Sequence, residues 1–265
     1  MRFVVRNLSA SRVNLLMNDY TAGLPSPLAF LGLAESLGRD LNVAPWAARV
    51  FPVLHKVHAS EGRTKPEMDY REGAFSPVEN IEDMVGTVEA SLVLDLPGVE
   101  DADAVGDAIV CKRLAGGTIS SIDGNVRRVA NDGRCLNMMK RGYAMVRPDE
   151  EERRIISSGD LDQMSEIAEI LFPETLNPGR GWIVPVAVGH RLLEDPETVP
   201  RRQRTRSPDM PHVFVEPCVG IAEMISVRNI RLTDLDDDNM ADRFWQWCCK
   251  GSHVVAHPAY HPQLS

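Results

Sequence analysis

Two histidines, a glycine pair preceded by basic residues, and a tail rich in cysteine and histidine are the stretches of this 265-residue chain whose residue types can do chemistry. His55 and His58 stand three apart at the end of an apolar run. Imidazoles titrate near neutral pH and can serve as general acid and base, as they often do in ribonucleases. Nothing nearby in the sequence supplies a partner, and a histidine at a strand end is commonly structural. The tail Cys248, Cys249, His253, His257 and His261 has ligand types suited to zinc. Its spacing matches no recognised finger, and Gly251 and Pro258 keep the histidines off a single helical face, so no metal site is expected. P-loop, GxGxxG and Gly-x-Ser-x-Gly motifs are all missing. Neither a catalytic residue nor a cofactor is therefore expected.

The glycine pair points elsewhere. Gly116-Gly117 joins two β-prone pieces, Ile109–Ala115 and Thr118–Ile122, and Lys112 and Arg113 stand just before it. With no Cβ in the way, such a pair lets the backbone approach a phosphate or ribose; a glycine bulge inside a sheet carries the same signature. Further basic residues fall in two segments of loop composition. Arg63, Lys65 and Arg71 lie in Ala59–Val78, whose Gly62, Pro66, Gly73 and Pro77 suggest an exposed loop or hairpin tip. Arg201, Arg202, Arg204 and Arg206 lie in the proline-bounded Pro200–Pro211. Arg127, Arg128, Lys140 and Arg141 form a weaker group. Arginine supplies 24 of the 29 cationic side chains, and its planar fork suits phosphates and base edges, although a GC-rich genome gives the same skew.

The totals limit the function classes. A net charge of −9 argues against a surface made wholly for nucleic acid, because phosphate affinity comes largely from Lys and Arg displacing counterions. Yet the charges are segregated. Glu79–Asp107 has nine carboxylates and no Lys or Arg, whereas Ala108–Arg147 has eight basic residues against Asp123 and Asp132. Asp149–Glu174 returns to nine acids against Arg153 and Arg154. Such blocks can fold into one basic track on an acidic body, or be a solvated surface with chance clustering. The five dispersed cysteines are no disulfide framework. No apolar run approaches the roughly 18 residues needed to span a bilayer. Arg2 and Arg6 interrupt what would be the apolar part of a signal peptide, so the expected location is the cytoplasm.

The elements that must carry these residues can be read in order. Met1–Leu8 reads as a strand, Ser9–Ala22 as a polar loop, and Ser26-Pro27 as the cap and first position of a helix whose seam is Leu28, Leu31, Ala34, Leu37 and Leu41. Val50–Val57 and the alternating Thr87–Leu96 are strands, and Asp101–Val110 a short helix. Asp160–Leu171 is a helix; Gly181–Gly189, carrying Pro185, is an edge or bulged strand. His212–Ile221 and Ser226–Leu232 are further β segments, and Asn239–Cys249 a closing helix. The opening strand, loop and helix fit an α/β or α+β domain.

A set of collinear motifs adds a resemblance. They are the Pro25–Gly32 helix start, His55-Lys56-Val57-His58, Glu89–Leu94, Arg113–Gly117, Gly181–Gly189 and Phe214-Val215-Glu216-Pro217. In this order they resemble the second Csy protein of type I-F CRISPR systems, the Cas-five-type subunit of the RAMP superfamily, over nearly the whole chain. The copy is short for that family, as in a compact I-F variant. The resemblance implies an α+β fold, a single domain over residues 1–265 with a ferredoxin-like, RRM-related core and inserted hairpin or loop elements. It implies no catalytic role. Such proteins cap the 5′ handle of the CRISPR RNA, pair with the large subunit beside the site where the protospacer-adjacent motif is read, and dock a backbone subunit; target double-stranded DNA is met through the complex. Arg63, Lys65, Arg71, Lys112, Arg113, Gly116 and Gly117 fall in family-like segments and are expected to bind RNA. Arg201, Arg202, Arg204 and Arg206 join them on composition alone. The alternatives are an RNA-processing endoribonuclease using His55 and His58, and a scaffold that touches only protein.

Overall fold

The computed structural model describes residues 1–18, 21–60, 64–71, 73–81, 84–148, 164–175, 179–202, 205 and 210–258; of 64–71, 75–81, 164–167 and 258 it describes the backbone. In the N-terminal half, β1 (Arg2–Asn14), α1 (Pro27–Asp40) and β2 (Arg49–Ala59) are followed by an inserted hairpin, β3 (Thr64–Arg71) and β4 (Ala74–Ile81). Then come β5 (Val85–Asp95), α2 (Ala102–Ile109), β6 (Arg113–Leu114), β7 (Gly117–Ser121) and β8 (Arg127–Val129). These core strands lie in the order β7-β1-β5-β2, with every neighbouring pair antiparallel. Residues beyond them supply β9 (Tyr143–Val146), α3 (Met164–Leu171), β10 (Trp182–Leu192), β11 (Val215–Ser226), α4 (Ile230–Thr233), α5 (Asp237–Ala241), β12 (Trp245–Lys250) and β13 (His253–Pro258). The fold is α+β, dominated by one large antiparallel sheet. β9 and β12 share an edge of β2, through Val53 and Leu54 and through Val50 respectively, so that β2-β9-β11-β10-β13-β12 closes into a circuit.

Strand alternation divides the core between two faces. Phe3 and Val5 of β1, Leu92 and Leu94 of β5, and Val50 and Leu54 of β2 pack with α1 and with Val105 and Ile109 of α2. The intervening Val4, Val93, Phe51 and Val53 face the other way, under the 3-10 helix Gly133–Met138 and under Leu232, Met240 and Phe244. Helix α1 starts where Ser26 dictates. The Ser26 Oγ accepts the Leu28 N–H at 3.0 Å and donates to the Ala187 carbonyl of β10, so one hydroxyl caps the helix and fastens it to the C-terminal half. Phe30, Leu31, Leu33, Ala34 and Leu37 are its buried face.

Three sequence readings are corrected. Ser9–Asn14 continues β1, because bulges between Val5 and Leu8 and between Ala10 and Val13 reset the alternation. Their residues Asn7 (φ 46°) and Arg12 (φ 57°) take the left-handed conformation that the inserted residue of such a bulge needs. Segment 226–232 leaves the sheet after Ser226, because the Asn229 side chain accepts the Arg231 N–H at 2.9 Å and starts α4. The segment 239–249 is not a closing helix: α5 ends at Ala241, and Trp245 and Trp247 follow the two-residue period of β12. Of the two readings of the proline-bearing strand, the bulged one holds: β10 is interior in the sheet and bulged between Ala187 and Gly189, and it pairs β13 only over Gly189–Arg191, leaving Pro185 clear of that ladder.

Leu31 is fully buried against this core. Leu31→Ala is expected to cost about 2–5 kcal/mol in thermal or denaturant unfolding. Leu31→Asp, which buries a lone carboxylate, should yield no cooperative transition at all.

Candidate nucleic-acid interface

The glycine pair forms a tight hairpin turn. Ala115 (φ 44°) and Gly116 (φ 81°) are the two central residues between the paired Leu114 and Gly117, and positive φ at both matches the twist of the flanking strands. Gly116 has open space around it, whereas a Cβ on Gly117 would lie 2.6 Å from the Ser11 carbonyl oxygen, so β7 presses directly on β1. Arg113 is exposed, and its Nη1 donates to the Gly116 carbonyl at 3.3 Å across the turn. Lys112 is tied to Asp40 of α1 at 2.6 Å.

The other basic groups are placed as follows. Lys65 and Arg71 fall on β3, and Arg63 lies outside the described residues, as do Arg204 and Arg206. Arg201 is exposed; the Arg202 Nη2 donates to both carboxylate oxygens of Glu194, and its guanidinium stacks 3.9 Å over the Phe214 ring, while Glu194 also accepts the Phe214 N–H. Arg127 and Arg128 are exposed on β8, and Lys140 pairs with Glu89 at 2.8 Å. The β6–β7 turn and the root of the β3–β4 hairpin lie at the same end of the core sheet, where β1 and β2 finish: Ala115 accepts the Asn14 N–H, and Ser60 donates to Val85. A cleft of about 420 Å³ there runs between Asn14, Ala115 and Ser26 on one side and His190 and Pro217 of the β10–β11 pair on the other. A larger cleft of about 680 Å³ is lined by Asp132, Asp234, Asp236 and Asp237 against Arg134, a net negative charge that repels phosphate.

His55 sits beside this end, with both ring nitrogens engaged. Its Nδ1 lies 3.0 Å from the Arg141 carbonyl and its Nε2 2.6 Å from the Ser91 Oγ, which also accepts the Asn7 N–H at 3.0 Å. The chain of donors is complete only with the proton on Nδ1 and the Ser91 hydroxyl donating to Nε2. Burial, aided by the Lys140 charge and opposed by the Arg141 carbonyl and Glu89, holds the imidazole pKa below its ordinary value. His58 is exposed further along β2. Of the tail ligands, Cys248, Cys249, His253 and His257 lie on β12 and β13, and His261 is outside the described residues.

Two aromatic residues not singled out as candidate site residues share a cleft on the surface. Tyr143 opens β9 and Trp182 opens β10; they are 50% and 49% exposed and line a cleft of about 460 Å³ with Leu24, Lys56, Val57 and Met224. Each follows a glycine pressed on a neighbouring strand. A Cβ on Gly142 would be 2.5 Å from the Leu54 oxygen, and one on Gly181 would be 2.6 Å from that of Met224. The Gly181 N–H donates to the buried Glu223 carboxylate at 2.7 Å, which Arg231 also holds at 2.7 Å. A glycine directly before an aromatic residue is the signal that marks both.

Because folding depresses the His55 pKa, the unfolded chain takes up that proton first as pH falls. The contribution is intact above about 6.5, the ordinary imidazole value, and is lost progressively below it. Thermal melts between pH 7.5 and 5.5 should show stability falling on acidification, with a shallower slope in His55→Gln.

Residues 163–253 match the family model of the CRISPR-associated protein Cas_Csy2. No curated protein matches the chain. The matched stretch runs from α3 through β10, β11 and β12 to the first residue of β13, and it contains the Gly181–Gly189 and Phe214–Pro217 motifs. Over this stretch the chain is similar to the Cas_Csy2 family of CRISPR-associated proteins.

Proposed function

We propose that this chain is a non-catalytic, cytoplasmic subunit of a type I-F CRISPR interference complex. In this reading it binds and caps the 5′ handle of the CRISPR RNA. It pairs with the large subunit beside the position where the protospacer-adjacent motif of target DNA is read. Its scaffold is a ferredoxin-like, RRM-related core, a reading supported by the strand order β7-β1-β5-β2, by the helices between β1 and β2 and between β5 and β6, and by their packing on one face. The handle is held by the basic residues of the three segments, Arg113 and its turn foremost. Guide pairing then supplies sequence recognition while the protein holds backbone and splayed bases.

The observation that carries this reading is the placement of the Arg113 turn and the root of the β3–β4 hairpin at the same end of the core sheet, away from the carboxylates of the acidic cleft. His55 favours no ribonuclease, since its two nitrogens are committed to Arg141 and Ser91. Co-expression with a CRISPR RNA and partner subunits tests the proposal. The expected product carries RNA whose 5′ end resists nuclease. Arg113→Glu should weaken RNA capture and lower the log–log salt slope by about one, the mark of one lost phosphate contact. A complex whose RNA is accessible at its 5′ end overturns the reading.

A further inference from the structure

We infer that the cleft between Tyr143 and Trp182 is a stacking site for an unpaired nucleobase, with Lys56 on the adjoining phosphate. This rests on the RNA-binding reading above and adds to it a site away from the basic turn. Tyr143 and Trp182 each stand half exposed at a strand start, and both line one cleft. Their backbones are fixed. Gly142 is held against β2 by the Arg141 carbonyl on His55, and Gly181 against β11 by the Glu223 carboxylate. Aromatic side chains on an already ordered backbone lose little freedom on binding, which is what a stacking platform needs.

The lining selects the occupant. Leu24, Leu54, Val57 and Met224 supply an apolar floor, and the exposed Lys56 supplies positive charge; among the described residues no carboxylate lines the cleft. A cationic peptide side chain would meet Lys56 there, whose cross-strand neighbour Glu89 is already held by Lys140, whereas a base has ring faces to meet and its phosphate a lysine. The volume of about 460 Å³ lies in the range of small-ligand sites. Leu24 lines this cleft and Ser26, two residues on, lines the one beneath the Arg113 turn, so the two clefts are neighbours. One strand of RNA can therefore reach both.

The test uses the full chain and a labelled, unstructured RNA decamer, with affinity read by fluorescence anisotropy. Trp182→Ala should weaken binding by roughly 5- to 150-fold, the loss of one stacked base, and Tyr143→Ala should act in the same direction. Trp182→Phe keeps a ring and should keep most of the affinity. A decamer of the same length with abasic sites keeps its phosphates; wild type should bind it less tightly than the intact RNA, and Trp182→Ala should barely distinguish the two. If Trp182→Ala binds the intact decamer as wild type does while Arg113→Glu does not, the stacking site is wrong and the RNA reading stands. If Trp182→Ala instead loses only a protein subunit of the assembled complex, the cleft is a protein contact and the inference is overturned. If wild type binds neither decamer, both fall.

Discussion

The hydrogen bond between Ser91 and His55 stands where the second face of the core sheet changes character. On one side of it, Val4, Phe51, Val53 and Val93 lie buried under the chain that returns across the sheet. On the other, Glu89 and Lys56 face solvent across paired strands. A fully buried hydroxyl is tolerable only with its partners in place, and Ser91 obtains them from the Asn7 amide and the His55 ring. Both partners depend on register shifts, one in β1 at Arg6 and Asn7 and one in β2 at His55. The two bulges are therefore the means by which a polar group crosses an apolar layer.

A second buried polar anchor mirrors the first. Glu223 is almost wholly enclosed, and its carboxylate is shared between the Gly181 N–H and the Arg231 guanidinium, which also reaches the Gly179 carbonyl. Losing one partner of such an enclosed pair leaves a charge without compensation, so the arrangement holds as a unit. Its effect is positional: the start of β10 is fixed relative to β11 in the same way that His55 fixes the start of β9 relative to β2. The closing of the two halves around α1 then depends on Ser26, whose single hydroxyl serves both the helix and β10.

Local chemistry made much of the fold legible. The Ser26-Pro27 start, the buried seam of α1, the alternation of β5 and the Asp101-capped α2 all follow from short-range preferences that the tertiary structure leaves intact. What escaped was set by long-range packing. The bulges of β1 made six strand residues look like loop, because each left-handed residue shifts the apolar period by one. Trp245 reads equally well as helix or strand until its Nε1 is seen donating to the Met145 carbonyl. At the candidate interface, cationic residues stand out in any sequence. The partners that occupy Lys112, Lys140 and Arg202 do not, since Asp40, Glu89 and Glu194 are brought near by the fold or, for Glu194, by a loop of unforeseen shape. Tyr143 and Trp182 were hidden for the opposite reason: aromatic residues in β segments are ordinarily core.

The sharing of one β2 edge by β9 and β12 bears on how the chain comes together during synthesis. A ribosome delivers β1, α1, β2 and β5 first, and these can pair at once, yet the outer edge of β2 then waits for strands encoded far downstream. Contacts over such sequence separations form late, and an unpaired strand edge invites other chains in the interval. Val50 and Trp245 make the last stitch, so the nascent protein is most vulnerable to mispairing in the period between the release of β5 and the arrival of β12. Prompt capture by other molecules at the opposite end of the sheet would leave that edge free to close.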